Sequence, residues 1–288
     1  MIGEPATFDP GNRLASDLTH ALQAPLGSFE IARRTPGLEV VFRRDPGPGK
    51  TPLLERLTVR FVQTLDLAIE LLAEGRLDAA ALPATVNLTD RLAARDLEAA
   101  AQLGPELVYL DLRGSGFDAD TRRALWEQAD VDGLGTAFVR ELGRPALTLH
   151  PRDGSSSRGP FGKPGGDLGA VAGETITLGA PVGDELLALF QRALHDDWER
   201  AGLEVDLVTI DARTFYGAWA VDPQVDVALR RGRSSGLPSD RRAARDMSFA
   251  PLFQMASVVA WREGVHRVLP NAARGGPLVG AERWWIDG

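Results

Sequence analysis

Gly47-Pro48-Gly49-Lys50-Thr51 holds the residue types of a phosphate loop, in which glycines let backbone N–H groups curl around phosphates while a lysine reaches the terminal one. The spacing fails, because the position that must hold the loop's first glycine is Arg44. Pro46, Pro48 and Pro52 also remove donors and block a following helix. A Pro-Gly turn between two strands is the reading that remains. Asp130, Asp132, Gly135 and Glu141 follow the spacing of a calcium loop, but the fifth position is Leu134, which offers no side-chain oxygen. A solvated helix end accounts for them. His195, Asp196, Asp197 and Glu199 bring together metal-ligating and acid/base types, yet all fall on the polar side of one amphipathic helical stretch and read as a solvated face. His20, His150 and His266 are scattered and belong to no His-Glu-x-x-His or Gly-x-Ser-x-Gly arrangement. No catalytic constellation and no metal site emerges.

The elements that would position any site follow from pattern and punctuation. Leu38 to Phe42 and Leu57 to Val62 are short apolar runs bounded by Gly and Pro, which predicts strands. Over Thr64 to Glu74, Leu65, Ile69 and Leu72 share a helical face, and Gly75 stands where a left-handed cap would end it. Ala79 to Leu82 closes at Pro83, so this stretch reads as a βαβ unit with a parallel sheet. Later, Asp184 caps a helix whose stripe is Leu186, Phe190, Ala193, Leu194, Trp198 and Ala201, ending at Gly202. A strand over Glu204 to Ile210, a helix over Ala212 to Trp219 and a strand over Val225 to Arg230 complete a second alternation. Pro151 to Gly173 is too dense in Gly, Pro and Ser for a regular element.

Composition narrows the class. The 288 residues, 44% hydrophobic and 25% charged, suit an ordinary globular chain of one large domain or two modest lobes. A net charge of -8 lacks the basic surface that nucleic-acid binding needs, so nucleic acid is not an expected partner. Without cysteine there is neither a disulfide nor a thiolate ligand or nucleophile. No apolar run is long enough to span a bilayer, and Met1 to Pro10 have neither a basic nor an apolar leader region.

Four segments, in order, resemble the family 5 extracellular solute-binding proteins, the substrate-capturing components of ABC importers. Gly3-Glu4-Pro5-Ala6-Thr7-Phe8-Asp9-Pro10 is similar to the family's mature start. Gly27 to Ile31, Glu39 to Pro46, Leu53 to Phe61 and Ala73-Glu74-Gly75-Arg76-Leu77-Asp78 follow its entry strands, turns and helix. Leu107 to Leu112 with Asp118 to Asp132 resembles a strand and helix of its second lobe, where Arg122, Arg123, Ala124 and Leu125 match outright. The tail, from Pro251-Leu252-Phe253-Gln254 through Ala260-Trp261-Arg262 and Gly264-Val265-His266 to Glu282 and Trp285, is the most specific stretch. Trp261, Trp284 and Trp285 there also suit ordinary core and edge packing.

The resemblance implies an α/β, two-lobed periplasmic-binding-protein type 2 fold with a reduced first lobe, formed by 1–104 and 247–288, and a second lobe over 105–246. It implies no cofactor and no catalysis: a monomer captures a peptide or other small polar solute between its lobes and docks on an ABC permease. Extracytoplasmic placement, periplasmic or lipid-anchored at the cell surface, comes with it. By position near the family's binding strand and turn, the ligand-binding candidates are Phe215, Tyr216, Trp219, Arg231, Gly232, Arg233, Ser234 and Ser235. The chain departs in two places. The family's large portion between Pro10 and Gly27 has no counterpart, and its Gly-Trp-x-x-Asp anchor for a peptide amino group is replaced by Arg231, Gly232 and Ser235. Arg230, Arg231 and Arg233 leave that segment basic, which suits an acidic or neutral polar ligand. The rival reading is a relic that lost its cleft and serves as a protein-interaction scaffold.

Overall fold

The computed structural model describes residues 29–45, 53–150, 161, 173–233, 237–269 and 283–287. The phosphate-loop-like segment at 47–51, nearly all of the 151–173 loop, the first motif of the resemblance and part of the last lie outside them. The described chain falls into two compact units, one over Pro105–Met255 and the other over 29–104 and 256–287.

In the second of these, β1 (Phe29–Thr35), β2 (Glu39–Arg44) and β3 (Arg56–Arg60) form an antiparallel sheet. The hairpin-like register sets Val40 against Val59 and Phe42 against Leu57. Phe29, Val40, Phe42, Val259, Val265, Val268 and Trp284 make the core cluster here, with Trp261 packed against it. Helix α1 (Leu65–Ala73) buries Ala68, Ile69 and Leu72, and the Thr64 hydroxyl caps it by accepting from the Leu67 N–H at 3.3 Å. Gly75 takes φ +67° just past its end, the left-handed turn that glycine permits without a Cβ clash.

Strand β4 (Ala79–Pro83) then corrects the parallel βαβ expectation: it pairs antiparallel with the second half of β10 (Phe249–Trp261), while β3 stays in the three-stranded sheet. Matched apolar cross-strand pairs with β2 had already engaged β3, and strand-helix-strand order alone does not say which sheet each strand joins. After α2 (Leu88–Ala93), β5 (Glu98–Asp111) carries the chain into the other unit, and β10 brings it back. The last described strands, β11 (Val265–His266) and β12 (Trp285–Ile286), pair with each other, and Trp285 stacks on His266 at 3.9 Å.

In the Pro105–Met255 unit, β9 (Val227–Arg233) lies between β5, to which it is antiparallel, and β7 (Thr175–Pro181), to which it is parallel. β8 (Glu204–Ile210) runs parallel to β7 on the far side, and β6 (Gly143–Pro145) pairs with β10. The α/β alternation read in the second half is therefore a parallel one. Between β5 and β6 lie α3 (Ala119–Glu127) and α4 (Val131–Leu134). Asp118 caps α3 and Asp130 caps α4 through the Gly133 N–H, so Asp130 of the calcium-like spacing has an ordinary capping role.

Helix α5 (Glu185–Arg200) buries Leu186, Phe190, Leu194 and Trp198 as its stripe demands, and its Gln191 amide donates to the Leu178 and Val208 carbonyls at 2.6 and 3.0 Å, tying it to β7 and β8. One member of its expected solvated face is not solvated. Asp197 is 9% exposed, accepts from the Asp130 N–H at 2.9 Å and pairs with Arg200, because α4's start packs over that part of the helix. The helix expected over Ala212 to Trp219 is two short ones, α6 (Ala212–Tyr216) and α7 (Ala218–Val221), broken at Gly217. Gly217 has φ −93° and ψ −102°, and a Cβ there would lie 2.4 Å from the Arg213 carbonyl oxygen. Helix α8 (Asp240–Asp246) leads into β10. No helix among the described residues is long and apolar enough to cross a membrane.

Gly114 lies where β5 gives way to a short 3-10 turn, Arg113–Ser115, and a Cβ there would stand 2.0 Å from the Val225 carbonyl oxygen. Backbone cannot yield as a side-chain tip can, so Gly114→Ala is expected to destabilise the protein by about 3 kcal/mol. Urea unfolding checks this, and a variant as stable as wild type contradicts the close approach.

Candidate functional site

Side chains alternate across a strand, so neighbouring Arg230 and Arg231 on β9 face opposite sides of the sheet. Both are buried, at 2% and 4% exposure, a position that an arginine holds only when its charge is matched. Asp111, fully buried at the end of β5, matches Arg230 with a 2.8 Å bond from Nε to Oδ2. Arg113, two residues further on, adds bonds of 2.8 Å to each oxygen of the same carboxylate. The outer sides of the two guanidiniums lie over aromatic rings, Arg230 over Phe215 at 4.5 Å and Arg113 over Phe249 at 4.8 Å.

On the other side, Arg231 makes a bidentate pair with Glu106, at 2.9 and 3.1 Å, and its Nη1 lies 3.9 Å from Asp184 Oδ2. Asp184 serves twice, since its Oδ1 caps α5 by accepting from the Leu187 N–H at 3.1 Å. Burial pulls the Arg231 pKa down, but Glu106 and Asp184 more than offset that and hold it above the ordinary arginine range. Arg113 is also raised, chiefly by its hydrogen bond to Asp111.

The expected site residues are thus partly gathered and partly withdrawn. Phe215 is wholly buried in a cluster with Ile210, Val225 and Ala228, and Tyr216 and Trp219 pack against that cluster half-buried. Tyr216 also meets Phe215 edge-on at 5.1 Å. Arg231 and Gly232 are buried in the strand, Arg233 is half-buried at its end, and Ser234 and Ser235 lie outside the described residues. The basic character read for this segment does not carry to the surface at Arg230 and Arg231, because acidic partners from β5 and the start of α5 match them. Asp240, which opens α8, accepts from the Leu149 N–H at 2.6 Å and from the Thr148 hydroxyl.

Sequence reasoning missed Asp111, Arg113, Glu106 and Asp184 as partners. A signal was present: a carboxylate closing the apolar run Leu107 to Leu110, and two arginines ending Val227 to Leu229, each require a partner if those runs are core strands. Among the described residues, no three His, Asp or Glu side chains converge on a metal position.

This architecture is the mixed α/β fold of the solute-binding proteins of ABC importers. A periplasmic EDTA-binding protein, EppA, superposes with a TM-score of 0.71 at 15% identity, covering 91% of this chain and 64% of that one. NikA from Brucella suis, solved with Fe(III)-EDTA, gives 0.71 at 13% identity over 90% and 68% of the two chains. The oligopeptide-binding protein AppA from Bacillus subtilis, solved with a nonapeptide, gives 0.59 at 14% identity over 91% and 66%. At these identities the likeness is one of fold, and the chain spans about two thirds of the length of these structures. No family model matches the sequence, and no curated protein does.

The Tyr216 phenol is held well above its ordinary value of 10.0, first by burial and then by the Asp184 charge. A raised acid keeps its proton more tightly folded than unfolded, so the stabilisation is complete below pH 10.0 and is lost as pH rises above it. Urea midpoints taken from about pH 8 to about pH 11 should fall more steeply for wild type than for Tyr216→Phe. Equal slopes contradict the burial of this hydroxyl.

Proposed function

We propose that the chain is a noncatalytic, family 5 type solute-binding protein of an ABC importer, which captures a peptide or another small polar solute outside the cytoplasm and delivers it to a membrane permease. The observation that carries this reading is the superposition of nine tenths of the chain on binding proteins of that class, with TM-scores up to 0.71. The names of those neighbours span metal chelates and peptides, so the reading commits to the mode of capture and to a small polar ligand. The face formed by Tyr216, Trp219 and the end of β9 at Gly232 and Arg233 is the proposed contact surface. In an open α/β sheet, the carboxyl ends of parallel strands are where ligands gather, and β7, β8 and β9 end on this side.

One observation favours a second reading, a protein-interaction module without transport: Arg230 and Arg231, buried in the strand that ends at the proposed contact surface, are already matched inside the unit. Thermal shift separates the two. Fe(III)-EDTA, dipeptide and nonapeptide pools and sugar pools are each added to the purified chain. A ligand that binds only the folded state, at about a hundred times its Kd, adds about 2.7 kcal/mol and raises the melting point by several degrees. No shift with any pool sinks the transport reading and leaves the interaction module.

A further inference from the structure

The segment α6–Gly217–α7 brings Tyr216 and Trp219 to the proposed contact surface, held by the Phe215 cluster on one side and by little helix of its own. Its helices have five and four residues, far below the length at which a helix sustains itself. Phe215 is its only deeply buried side chain, and Val221 at its end is 81% exposed. As in any helix, the last carbonyls have no partner within the helix. Two arginines supply partners. Arg230 donates to the Phe215 and Trp219 carbonyls at 2.7 and 2.6 Å, and Arg113 donates to that of Ala220 at 2.6 Å and of Val221 at 3.5 Å. Cations at helix carboxyl ends also match the helix dipole. Both guanidiniums are aimed by the same carboxylate, and that carboxylate sits in β5, where the pairing of Asp111 with Ala228 fixes it to β9.

We propose that Asp111 is a positioning residue for this wall: acting through Arg113 and Arg230, it sets where Tyr216 and Trp219 stand. The claim that this wall faces a ligand rests on the proposed function; the claim that the triad positions it does not. Local opening of α6–α7 is then governed by ionic contacts to four carbonyls, separately from the opening of the sheet beneath.

Hydrogen exchange on the ligand-free chain of 288 residues tests this. The amides of Gly217, Ala220 and Asp222 are bonded to the Arg213, Gly217 and Ala218 carbonyls and so report the wall. In Arg113→Met, exchange over residues 215–222 is expected to rise about tenfold, while the amides of β7 and β8 keep their rates. Arg113→Lys keeps the charge without the fork and should restore part of the protection. Asp111→Asn should exceed both. If it fails to fold, the Arg113 pair decides, because that side chain is 32% exposed and its loss leaves no buried cation. Unchanged exchange over 215–222, or an equal rise in β7 and β8, overturns the positioning role. If the wall loosens as expected and no pool shifts the melting point, the positioning stands and the ligand reading falls.

Discussion

Asp111 has no contact with solvent, and an ionised carboxylate in that position is tolerable only with its charge matched and its oxygens bonded. The stack Phe249, Arg113, Asp111, Arg230, Phe215 meets that condition with parts from β5, the turn after it, β9, α6 and β10. Every one of those segments must be in place together. The β5–β9 register is the most sensitive of them, since a slip of one residue would move Arg230 to the other side of the sheet and leave the carboxylate buried without it.

The Arg231, Glu106 and Asp184 set repeats this logic on the opposite side of the same strand. Buried ion pairs add little stability over well-packed apolar residues of the same volume, whereas removing one partner costs about 3 to 5 kcal/mol. Two such sets on one strand therefore act mainly against wrong registers, each of which would strand several charges at once. The other unit has a different basis. Its cluster of Phe29, Val40, Phe42, Val259, Val265, Val268 and Trp284 is apolar, and the ion pairs among its described residues are partly or largely exposed. Exposed pairs of that kind contribute about 0 to 1 kcal/mol each, so burial of apolar surface carries that unit.

What the sequence made legible was local. Thr64 and Asp184 stand at helix starts and Gly75 and Gly202 past helix ends because capping chemistry is decided within a few residues. The strand over Glu204 to Ile210 was legible for the same reason, being bounded by Gly202 and a helix-capping Asp211. What was not legible depends on distant partners. Arg230 and Asp111 are 119 residues apart, and nothing near either names the other. The sheet that β3 and β4 each join, and the burial of Asp197 under α4, are likewise settled by packing between segments that the helical period does not connect. Gly217 is an intermediate case: glycine in a helical pattern signals a break, but only the close approach to the Arg213 carbonyl shows why a residue with a Cβ would not fit there.

The balance of charge around β9 bears on recognition. Arg113, Arg230 and Arg231 face Asp111, Glu106 and Asp184, three cations against three carboxylates. Fields from such matched, closely spaced pairs cancel over a few ångströms, so an acidic solute approaching this strand gains no net attraction from Arg230 and Arg231. To recruit one, a solute carboxylate would have to displace Glu106 from a bidentate geometry already satisfied at 2.9 and 3.1 Å, leaving that glutamate to find water. Under the proposed function, shape then counts for more at this face than the charges of Arg230 and Arg231, and shape depends on where Tyr216 and Trp219 stand. That position is the quantity which the buried carboxylate of Asp111 controls.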